Sequence, residues 1–443
     1  MTVLERTTIL PEPFARWFAG RGWQPRAHQL ELFAKAKAGR SVLLIAPTGG
    51  GKTLAGFLPS LIELSELHLS PREGRGHRAE GVACERASLP AFDPNAPSPG
   101  SNLRFSPPSP RARGEEYGLH TLYISPLKAL AVDIARNLEN PVAEMGLPIR
   151  IETRTGDTPS SKRTRQRRHP PQILLTTPEQ LALLLASADA PYLFGSLKRV
   201  ILDELHALVI SKRGDLLSLG LARLFRLAPK LTSIGLSATV AEPDDLCRFM
   251  VPQRQENARA DLIVASGGAA PEVAMLDSRK RLPWAGHSAR HALAEIYELI
   301  KAHRTTLVFV NTRSQAEGIF QDLWHANEDN LAIALHHGSL DVAQRRKVEV
   351  AMASGRLRAV VCTSSLDLGV DWGDVDLVIN LGAPKGASRL LQRIGRANHR
   401  MDEPSKGVLV PANRFEVLEC RAALDAVAEN AQDTPAARTG ALD

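Results

Sequence analysis

The chain is 443 residues long, which exceeds one ordinary hydrophobic core and predicts two or three domains. Its 55 lysines and arginines outnumber its 48 aspartates and glutamates, and the net charge of +7 suits a polyanionic partner without requiring one. The four cysteines form no C-x-x-C pair, which argues against a zinc site or a disulfide framework. With no recognisable signal peptide or membrane-spanning stretch, the sequence predicts a soluble cytoplasmic protein.

Short apolar runs alternate with amphipathic stretches along the chain, a pattern typical of parallel sheets flanked by helices. A first series of predicted strands covers 41–45, 121–124, 173–176, 199–202 and 232–236. A second series covers 306–310, 331–335, 358–362, 377–381 and 407–410. Glycines and a proline near 265–286 interrupt the pattern between the two series. The sequence therefore predicts an α/β fold with two domains in tandem.

Segment 70–118 does not follow this rhythm. It holds eight prolines among scattered arginine, glycine, serine and glutamate residues, a composition typical of a disordered loop. Because the connection between a helix and the next strand is normally a few residues long, we interpret this segment as an insertion. Because the segment contains several arginines, one interpretation is an arm that binds nucleic acid. Acidic residues nearly cancel this charge, however, and favour a solvent-exposed loop.

Residues 46–53 read Ala-Pro-Thr-Gly-Gly-Gly-Lys-Thr and follow the first predicted strand directly. A glycine-rich turn between a strand and a helix lets backbone N–H groups point at phosphate oxygens. Ala46 stands where the usual G-x-x-x-x-G-K-[ST] pattern has its first glycine. Lys52 is predicted to reach the β- and γ-phosphates, and Thr53 to offer a hydroxyl to Mg²⁺. The predicted ATP-binding residues of this loop are Thr48, Gly49, Gly50, Gly51, Lys52 and Thr53.

A second acidic strand end strengthens this interpretation. Asp203 and Glu204 follow the predicted strand 199–202. Asp203 is predicted to support the hydrated metal, and Glu204 to orient or deprotonate the attacking water. A glycine-rich turn without a ligand would account for the first motif alone but not for this acidic pair. The two motifs together predict a nucleotide triphosphatase with Lys52, Asp203 and Glu204 as catalytic residues and with ATP and Mg²⁺ as cofactors.

Further motifs decide among the classes of triphosphatase, and their joint order resembles that of superfamily 2 helicases. Within this class the chain is similar to the ligase-associated bacterial branch of the large helicase-related (Lhr) family, over nearly its whole length except the insertion. The resembling strings are PRAHQ at 25–29, the phosphate loop at 46–53, SPLKAL at 125–130, RTGDT at 154–158, TTPE at 176–179, DELH at 203–206, SAT at 237–239, FVNTR at 309–313, HHGS at 336–339, the segment 363–371 and QRIGRANHR at 392–400.

The resemblance implies two RecA-like domains, each a mainly parallel sheet flanked by helices. Domain 1 would span 1–270 and bind ATP, domain 2 would span 271–430, and 431–443 would form a tail. Members of this family are longer than this chain. The resemblance therefore also implies a chain truncated after the second motor domain.

The resemblance assigns further residues to ATP and to the coupling between domains. Gln29 would read the edge of adenine, although a surface glutamine in a helix is the alternative. Gly369 and Asp371 would meet the ribose, with a plain turn as the alternative for Gly369. The residues that would couple the hydrolysis site to domain 2 are His206, Ser237 and Thr239.

Domain 2 is expected to complete the ATP site. Closure of the cleft would bring Arg396 onto the γ-phosphate as an arginine finger. A further finger stands three residues later in related helicases. This chain has His399 at that place and Arg400 one step beyond, so the identity of a second finger stays open.

Nucleic acid is expected to cross both domains and to be held through phosphates, because a translocating motor must not depend on base sequence. The residues assigned to this grip are Lys128, Arg154, Thr155, Gly156, Thr177, Pro178, Arg313, His337, Gly338 and Thr363. A solvated surface charge is the alternative for Lys128 and Arg154. The basic run 162–169 is left open between a contact to the strand and a solvated helix face.

The resemblance implies an ATP-dependent DNA helicase or translocase that moves 3′-to-5′ on single-stranded DNA and serves DNA repair. Its implied partners are single-stranded DNA, a duplex with a single-stranded tail, an RNA–DNA hybrid and DNA-repair proteins, and it is expected to act as a monomer without a membrane. Two alternatives stay open. One is an RNA-remodelling helicase, since phosphate contacts discriminate DNA from RNA poorly, and the other is a truncated nucleic-acid binder without catalysis.

Overall fold

The computed structural model describes residues 10–47, 49–69, 118–209, 211–238, 240, 242–254, 256–265, 269–367, 375–398, 403–429 and 431. Predictions for the insertion at 70–117 and for the following residues lie outside this part of the chain: Thr48, Thr239, Gly369, Asp371, His399 and Arg400. The described backbone forms two parallel sheets with helices packed against them.

The first sheet contains seven parallel strands in the described part of the chain. In chain order they are β1 Val42–Ile45, β2 Thr121–Ile124, β3 Ile151–Arg154, β4 Ile173–Thr176, β5 Arg199–Leu202, β6 Thr232–Ser237 and β7 Asp261–Val264. Their order across the sheet is β3-β4-β2-β5-β6-β1-β7, with Ile45 level with Ser237 and Ile124 level with Leu202. Because parallel strands share one carboxyl edge, the loops that follow them meet on one side of the sheet.

Helices cover both faces of this sheet. They are α1 Glu12–Gly20, α2 Ala27–Lys37, α3 Lys52–Leu69, α4 Lys128–Glu144, α5 Ser160–Arg168, α6 Pro178–Leu185, α7 Ala190–Phe194, α8 Leu205–Val209, α9 Lys212–Leu227 and α10 Pro243–Phe249. Val42 and Leu44 of β1 pack into a core with α1 to α4, while Leu43 packs into a second core with α6 to α10. Burial on both faces explains why these strands read as continuous apolar runs.

The second sheet contains six parallel strands among the described residues. They are β8 Glu272–Met275, β9 Thr306–Phe309, β10 Ile333–His336, β11 Ala359–Cys362, β12 Leu377–Leu381 and β13 Lys406–Val410, in the order β10-β11-β9-β12-β13-β8. Its helices are α11 Leu293–Ala302, α12 Arg313–His325, α13 Val342–Ala353, α14 Ala387–Ile394 and α15 Arg414–Ala428. In the described part of the chain no helix combines the length and the hydropathy needed to cross a membrane.

The predicted fold class is confirmed: both domains are mainly parallel α/β structures. Three strands were not predicted. β3 and β7 are the two edges of the first sheet, and β8 is an edge of the second. The last strand of the first sheet ends at Val264 and the first strand of the second begins at Glu272. The domain limits at 1–270 and 271–430 stay predictions.

A buried ion-pair network joins α3 to the start of β2, at the two ends of the connection that contains residues 70–117. Arg199 is 3% exposed and donates to both carboxylate oxygens of Glu63, at 2.7 and 3.1 Å. Nε2 of His120 lies 3.2 Å from the same carboxylate. Burial acts to raise the pKa of Glu63, but His120 and Arg199 outweigh it and lower the pKa to about 2. The network thus fixes both ends of the connection to the sheet.

Candidate nucleotide and nucleic-acid sites

The loop between β1 and α3 requires its glycines. Gly49 and Gly51 have φ angles of +74° and +70°, a left-handed conformation that residues with side chains rarely adopt. A Cβ atom on Gly51 would lie 2.7 Å from Nε2 of Gln29. Ala46 is 1% exposed and packs in the core below the loop, so its methyl group is accommodated. The loop therefore forms without the first glycine of the usual pattern.

A cavity of about 750 Å³ opens above this loop and is lined by both domains. It brings together residues predicted to bind or hydrolyse ATP, namely Gln29, Gly49, Gly50, Gly51, Lys52, Thr53, Asp203, Glu204 and Arg396. Phe18, Trp23 and Arg26 also line the cavity, and they were not predicted. Arg26 lies in the string PRAHQ at 25–29 but was given no role, and no motif singles out Phe18 or Trp23.

Lys52 is the first residue of α3 and lines the cavity. Its ammonium Nζ donates to the carbonyl oxygens of Ala46 and Pro47, at 2.7 and 3.2 Å. Burial lowers the pKa of Lys52, whereas Glu204 and Asp203 act to raise it. A phosphate group in this cavity would favour the charged form of Lys52 further, because it adds negative charge beside a buried cation.

Asp203 follows the end of β5 and is 5% exposed. Its Oδ2 accepts a hydrogen bond from the hydroxyl of Tyr123, and its Oδ1 accepts one from the backbone N–H of Glu204 at 2.9 Å. Burial and the carboxylate of Glu204 raise the pKa of Asp203 to about 6. Tyr123 was not predicted. Its phenol in the buried strand β2 is the signal that could have found it, because a buried hydroxyl needs a partner.

Glu204 has a φ angle of +46°, which is rare for a residue with a side chain. Burial acts to raise its pKa, but His206, Lys52 and Arg396 outweigh this effect and lower the pKa. Its Oε2 is buried and accepts no hydrogen bond within the described part of the chain. The strained backbone therefore holds an ionised carboxylate in the cavity with one acceptor oxygen unsatisfied.

The residues present fit a magnesium ion. The hydroxyl of Thr53 and the carboxylates of Asp203 and Glu204 line one cavity, and Mg²⁺ prefers hard oxygen ligands of this kind. A divalent cation would also relieve the repulsion between the two carboxylates. Among the described residues no cluster of three or more His, Cys, Asp or Glu side chains could hold a metal.

Gln29 ties the phosphate loop to the turn before α2. It is 4% exposed, its Oε1 accepts from the backbone N–H of Arg26 at 2.9 Å, and its Nε2 donates to the carbonyl oxygen of Gly51 at 3.3 Å. Arg26 in turn donates from Nη1 to the carbonyl oxygen of Gly49 at 2.8 Å. The structure therefore excludes the surface glutamine weighed as an alternative. The reading of adenine by Gln29 stays a prediction.

His206 lies in α8, at the contact between the two domains. Its Nδ1 lies 3.0 Å from Oγ of Ser237, and its Nε2 lies 2.5 Å from Nε2 of Gln392 in α14. Because an amide N–H only donates, Nε2 of His206 accepts and Nδ1 carries the proton toward Ser237. Burial lowers the pKa of His206, which favours the neutral ring that these bonds need. Two predicted coupling residues are thus in contact, and Gln392 is their unassigned partner in the second domain.

Arg396 follows α14 and is 6% exposed. Its Nη2 donates to the carbonyl oxygen of Asp367 at 3.2 Å. The carboxylate of Asp367 accepts from Nε of Arg389 at 2.8 Å and from Nε of Arg393 at 2.9 Å. Arg393 is 1% exposed and also donates to Oδ1 of Asn380 at 2.5 Å. The carboxylate of Asp367 therefore binds Arg389 and Arg393 in α14, the helix before Arg396. The carbonyl group of Asp367 binds Arg396 itself. This network was not predicted.

The residues predicted to grip nucleic acid lie at strand ends in both domains. In the first domain they end or follow β2, β3 and β4, and in the second they follow β9, β10 and β11. Lys128 keeps 55% of its side chain exposed and lies 3.2 Å from Asp157, while Arg313 lies 2.8 Å from Glu317. Gly156 and Gly338 are exposed, and Pro178, the first residue of α6, is buried.

Besides Pro178, three residues of this set expose little side chain. Thr155, Thr177 and His337 are 5%, 3% and 2% exposed. Their side chains therefore shape the loops, and what these positions offer a ligand is mainly backbone. Arg154 is half-buried, and its Nη1 lies 3.4 Å from the carbonyl oxygen of Arg163. Thr363, which is partly buried, follows β11 directly. Direct contact of these residues with nucleic acid stays a prediction.

Arg213 joins two of these loops and was not predicted. It lies in α9, donates from Nη1 to the carbonyl oxygen of Pro126 at 2.5 Å, and pairs with Glu179 at 2.5 and 3.1 Å. The loops after β2 and β4 are thereby held together. Sequence spacing carries no signal for this contact, because Arg213 lies 87 residues from Pro126.

Two parallel α/β domains that share one nucleotide cavity define the motor core of a superfamily 2 helicase. Residues 26–246 match the DEAD/DEAH box helicase family, and residues 289–401 match the helicase conserved C-terminal domain. These matches cover the ATP cavity in the first domain and the arginine-bearing helix α14 in the second.

More narrowly, the resemblance to the large helicase-related (Lhr) family that the motifs predicted is confirmed, because nearly the whole chain aligns with proteins of that family. It is 36% identical over 427 residues to the ATP-dependent helicase Lhr-Core protein 2 of Thermococcus barophilus, covering 93% of this chain and 45% of that protein. It is 34% identical over 421 residues to the ATP-dependent helicase Lhr-Core of Methanocaldococcus jannaschii, covering 93% of this chain and 44% of that protein. The assignment to the ligase-associated branch stays a prediction.

A solved structure supports the same family. The structure of Mycobacterium smegmatis helicase Lhr bound to ssDNA and AMP-PNP matches with a TM-score of 0.76 at 33% identity. The match covers 96% of this chain and 50% of that chain. This chain thus spans about half the length of the relatives that it matches.

Proposed function

We propose that this chain is an ATP-driven motor that moves along single-stranded DNA and displaces a paired strand. The observation that carries the proposal is the position of Arg396, which lines the same cavity as Lys52 and Glu204 although it belongs to the other domain. A site divided between two domains couples hydrolysis to closure, because bound ATP attracts both halves and its loss releases them.

Each catalytic residue has a role that its surroundings support. Lys52 contacts the β- and γ-phosphates, and Glu204 accepts a proton from the attacking water through its unsatisfied Oε2. Arg396 stabilises the negative charge on the transferred phosphoryl group. When bound, Mg²⁺ would be held by Thr53 and Asp203 and would neutralise phosphate charge. Gln29 reads the adenine edge from its place beside the loop.

The contact between His206 and Gln392 links closure of the domains to their grip on nucleic acid. It joins the acidic strand end of the first domain to α14 of the second. Each domain holds phosphates of the strand with its own set of loops, so a change in the distance between domains becomes a step. Movement is 3′-to-5′ and serves DNA repair in this proposal, and the protein acts as a monomer. The single-stranded DNA bound to the M. smegmatis relative supports single-stranded DNA as the track of the proposed motor.

The first test is the steady-state ATPase rate with and without single-stranded DNA. Strong stimulation that Lys52→Ala abolishes is the expected result. Single-stranded RNA in the same assay separates the RNA-remodelling alternative, since the proposal expects DNA to be the better activator. No turnover in any condition, together with DNA binding that ATP does not alter, would replace the motor with a binding module.

Glu204→Gln tests the assigned base. The variant should retain ATP and DNA binding and lose hydrolysis by about 100-fold or more, because an amide cannot accept the proton from water. Normal turnover in this variant would remove Glu204 from that role. Unwinding of duplexes with a 3′ or a 5′ single-stranded tail measures polarity, and only the 3′-tailed duplex should be opened.

A further inference from the structure

The basic run 162–169 lies in and after α5, next to the loop 155–158 that follows β3. Its arginines have different surroundings. Arg165 pairs with Glu152 at 2.8 Å, and Arg167 donates to Asp189 at 2.6 Å. Arg168 is exposed. These contacts show that the run is not one uniform basic face.

Arg163 uses its guanidinium on backbone carbonyl groups of the loop. Its Nε donates to the carbonyl oxygen of Thr158 at 2.8 Å, and its Nη2 donates to that of Gly156 at 2.6 Å. The same Nη2 lies 3.3 Å from the carbonyl oxygen of Thr155. A planar guanidinium presents several donors in a fixed fork, and here the fork fixes three carbonyl groups at once.

The orientation of these carbonyl groups determines what the loop presents on its other side. In a trans peptide the C=O of one residue and the N–H of the next point in opposite directions, so the N–H of Gly156 points away from the carbonyl oxygen of Thr155, which contacts Arg163. Nζ of Lys128 lies close to the glycine, 2.9 Å from where a Cβ atom on Gly156 would lie. An exposed N–H group beside an ammonium group is a suitable contact for a phosphate oxygen.

We propose that Arg163 is a positioning residue for nucleic-acid binding, which holds the loop 155–158 so that Gly156 and Lys128 converge on one phosphate, and that Arg163 itself does not touch the strand. The inference rests on the proposed function, because it assumes that the loop binds a nucleic-acid phosphate. It assigns Arg163 a role different from those of its basic neighbours in α5.

The test compares Arg163→Ala and Arg163→Lys with the matched control Arg168→Ala in the full chain. Binding of a fluorescein-labelled oligothymidylate is measured by anisotropy over a series of KCl concentrations. Both Arg163 variants should bind about tenfold more weakly than the parent, because neither keeps the fork of donors that holds the three carbonyl groups, although Arg163→Lys keeps the positive charge. The control should bind within about twofold of the parent.

Hydrogen exchange supplies a readout that does not depend on DNA. The N–H of Thr158 bonds to the carbonyl oxygen of Thr155 at 3.2 Å, and the N–H of Thr155 bonds to Oγ1 of Thr158 at 2.9 Å. Both amides should exchange faster in Arg163→Ala than in the parent and in Arg168→Ala, while affinity for a fluorescent ATP analogue stays at the parent value. That affinity reports an intact first domain.

Three results would overturn the inference. Parental binding in Arg163→Lys together with weak binding in Arg163→Ala would show that the charge of Arg163 contacts a phosphate directly. Binding and exchange equal to those of Arg168→Ala would show that Arg163 does nothing for the loop. Failure of the parent chain to bind DNA or RNA would remove the proposed function, and this inference with it.

Discussion

The two domains place their shares of the ATP site in different ways. In the first domain, Lys52 opens α3 and Asp203 follows β5 directly, so backbone geometry positions both. In the second domain, Arg396 depends on Asp367 and on the buried arginine Arg393. The first half of the site is thus set by local turns and the second by charged side chains from separate elements.

This difference predicts that substitutions in the two domains change turnover and nucleotide affinity in different ways. In the proposed mechanism the groups of the first domain bind the nucleotide whether or not the domains close. Arg396 contributes only when the second domain is in place, and its supporting network lies wholly in that domain. Substitutions in the second domain should therefore reduce turnover more than nucleotide affinity.

Removal of the finger is the substitution with the largest expected effect. Arg396→Ala should lower the DNA-stimulated kcat about a thousandfold with little change in nucleotide affinity, because the arginine stabilises charge that develops in the transition state. ATPase assays and binding of a fluorescent ATP analogue measure the two quantities. Arg421→Ala, which removes an exposed arginine from α15, is the control. If Arg396→Ala hydrolyses ATP at the rate of the parent, the second domain contributes no catalytic residue at this position.

The network behind the finger should show a smaller effect on turnover. Asp367→Asn weakens the partner of the buried Arg393, so kcat should fall about tenfold to a hundredfold and the free energy of unfolding by about 3 kcal/mol. Urea unfolding followed by circular dichroism gives the second value. If stability falls while kcat is unchanged, the network supports the fold of the second domain and does not position Arg396.

The contact between the domains can be tested with a double-mutant cycle. His206→Ala, Gln392→Ala and the double variant are compared through the DNA-stimulated kcat, and we expect a coupling of about 1 kcal/mol, because each single variant already breaks the same contact. Strictly additive effects would mean that the two side chains do not act together in the catalytic cycle.

The smallest expected effect concerns the buried network of the first domain. Glu63→Gln should lower the free energy of unfolding at neutral pH by about 1–2 kcal/mol, a value reduced for the part of the carboxylate that remains in solvent, and should leave kcat unchanged. The folded-state pKa of Glu63 is about 2 and the ordinary value is 4.5. Its stabilisation is therefore present above pH 4.5 and is lost as the pH falls toward 2.

Urea unfolding at a series of pH values measures this effect. Glu139→Gln, which changes an exposed glutamate of α4, is the control and should keep the pH dependence of the parent, whereas Glu63→Gln should lose it. A fall of kcat in Glu63→Gln would contradict the contrast between the two domains. It would mean that charged side chains far from the cavity also position the catalytic residues of the first domain.

Burial explains how much of the fold could be predicted from the sequence. β2, β4, β5 and β12 have the predicted limits, because they are buried in the sheets and read as uninterrupted apolar runs. β7 and β8 lie at sheet edges with alternating exposed residues, and all four residues of β3 are only partly buried. These three strands are not buried on both faces, so the pattern of continuous buried apolar runs could not detect them, whereas β10, also at an edge, was predicted at 331–335.

The candidate site divides in the same way. Lys52, Thr53, Asp203 and Glu204 lie in motifs whose spacing reflects a local turn, and the structure brings them into one cavity. Their partners come from distant parts of the chain. Tyr123 lies 80 residues from Asp203, and a contact over that separation leaves no spacing signature in one sequence. The roles of the assembled residues in catalysis stay predictions.

The ion pairs of Glu63 with Arg199 and His120 have a consequence for how this motor tolerates change. They anchor the ends of the connection that contains residues 70–117, so the separation of those ends is set by the folded domain. The entropy of closing a flexible loop grows only with the logarithm of its length, and doubling the length costs about 0.6 kcal/mol. We therefore expect a fluorescent reporter domain inserted between these two anchored ends to change the free energy of unfolding of the first domain little.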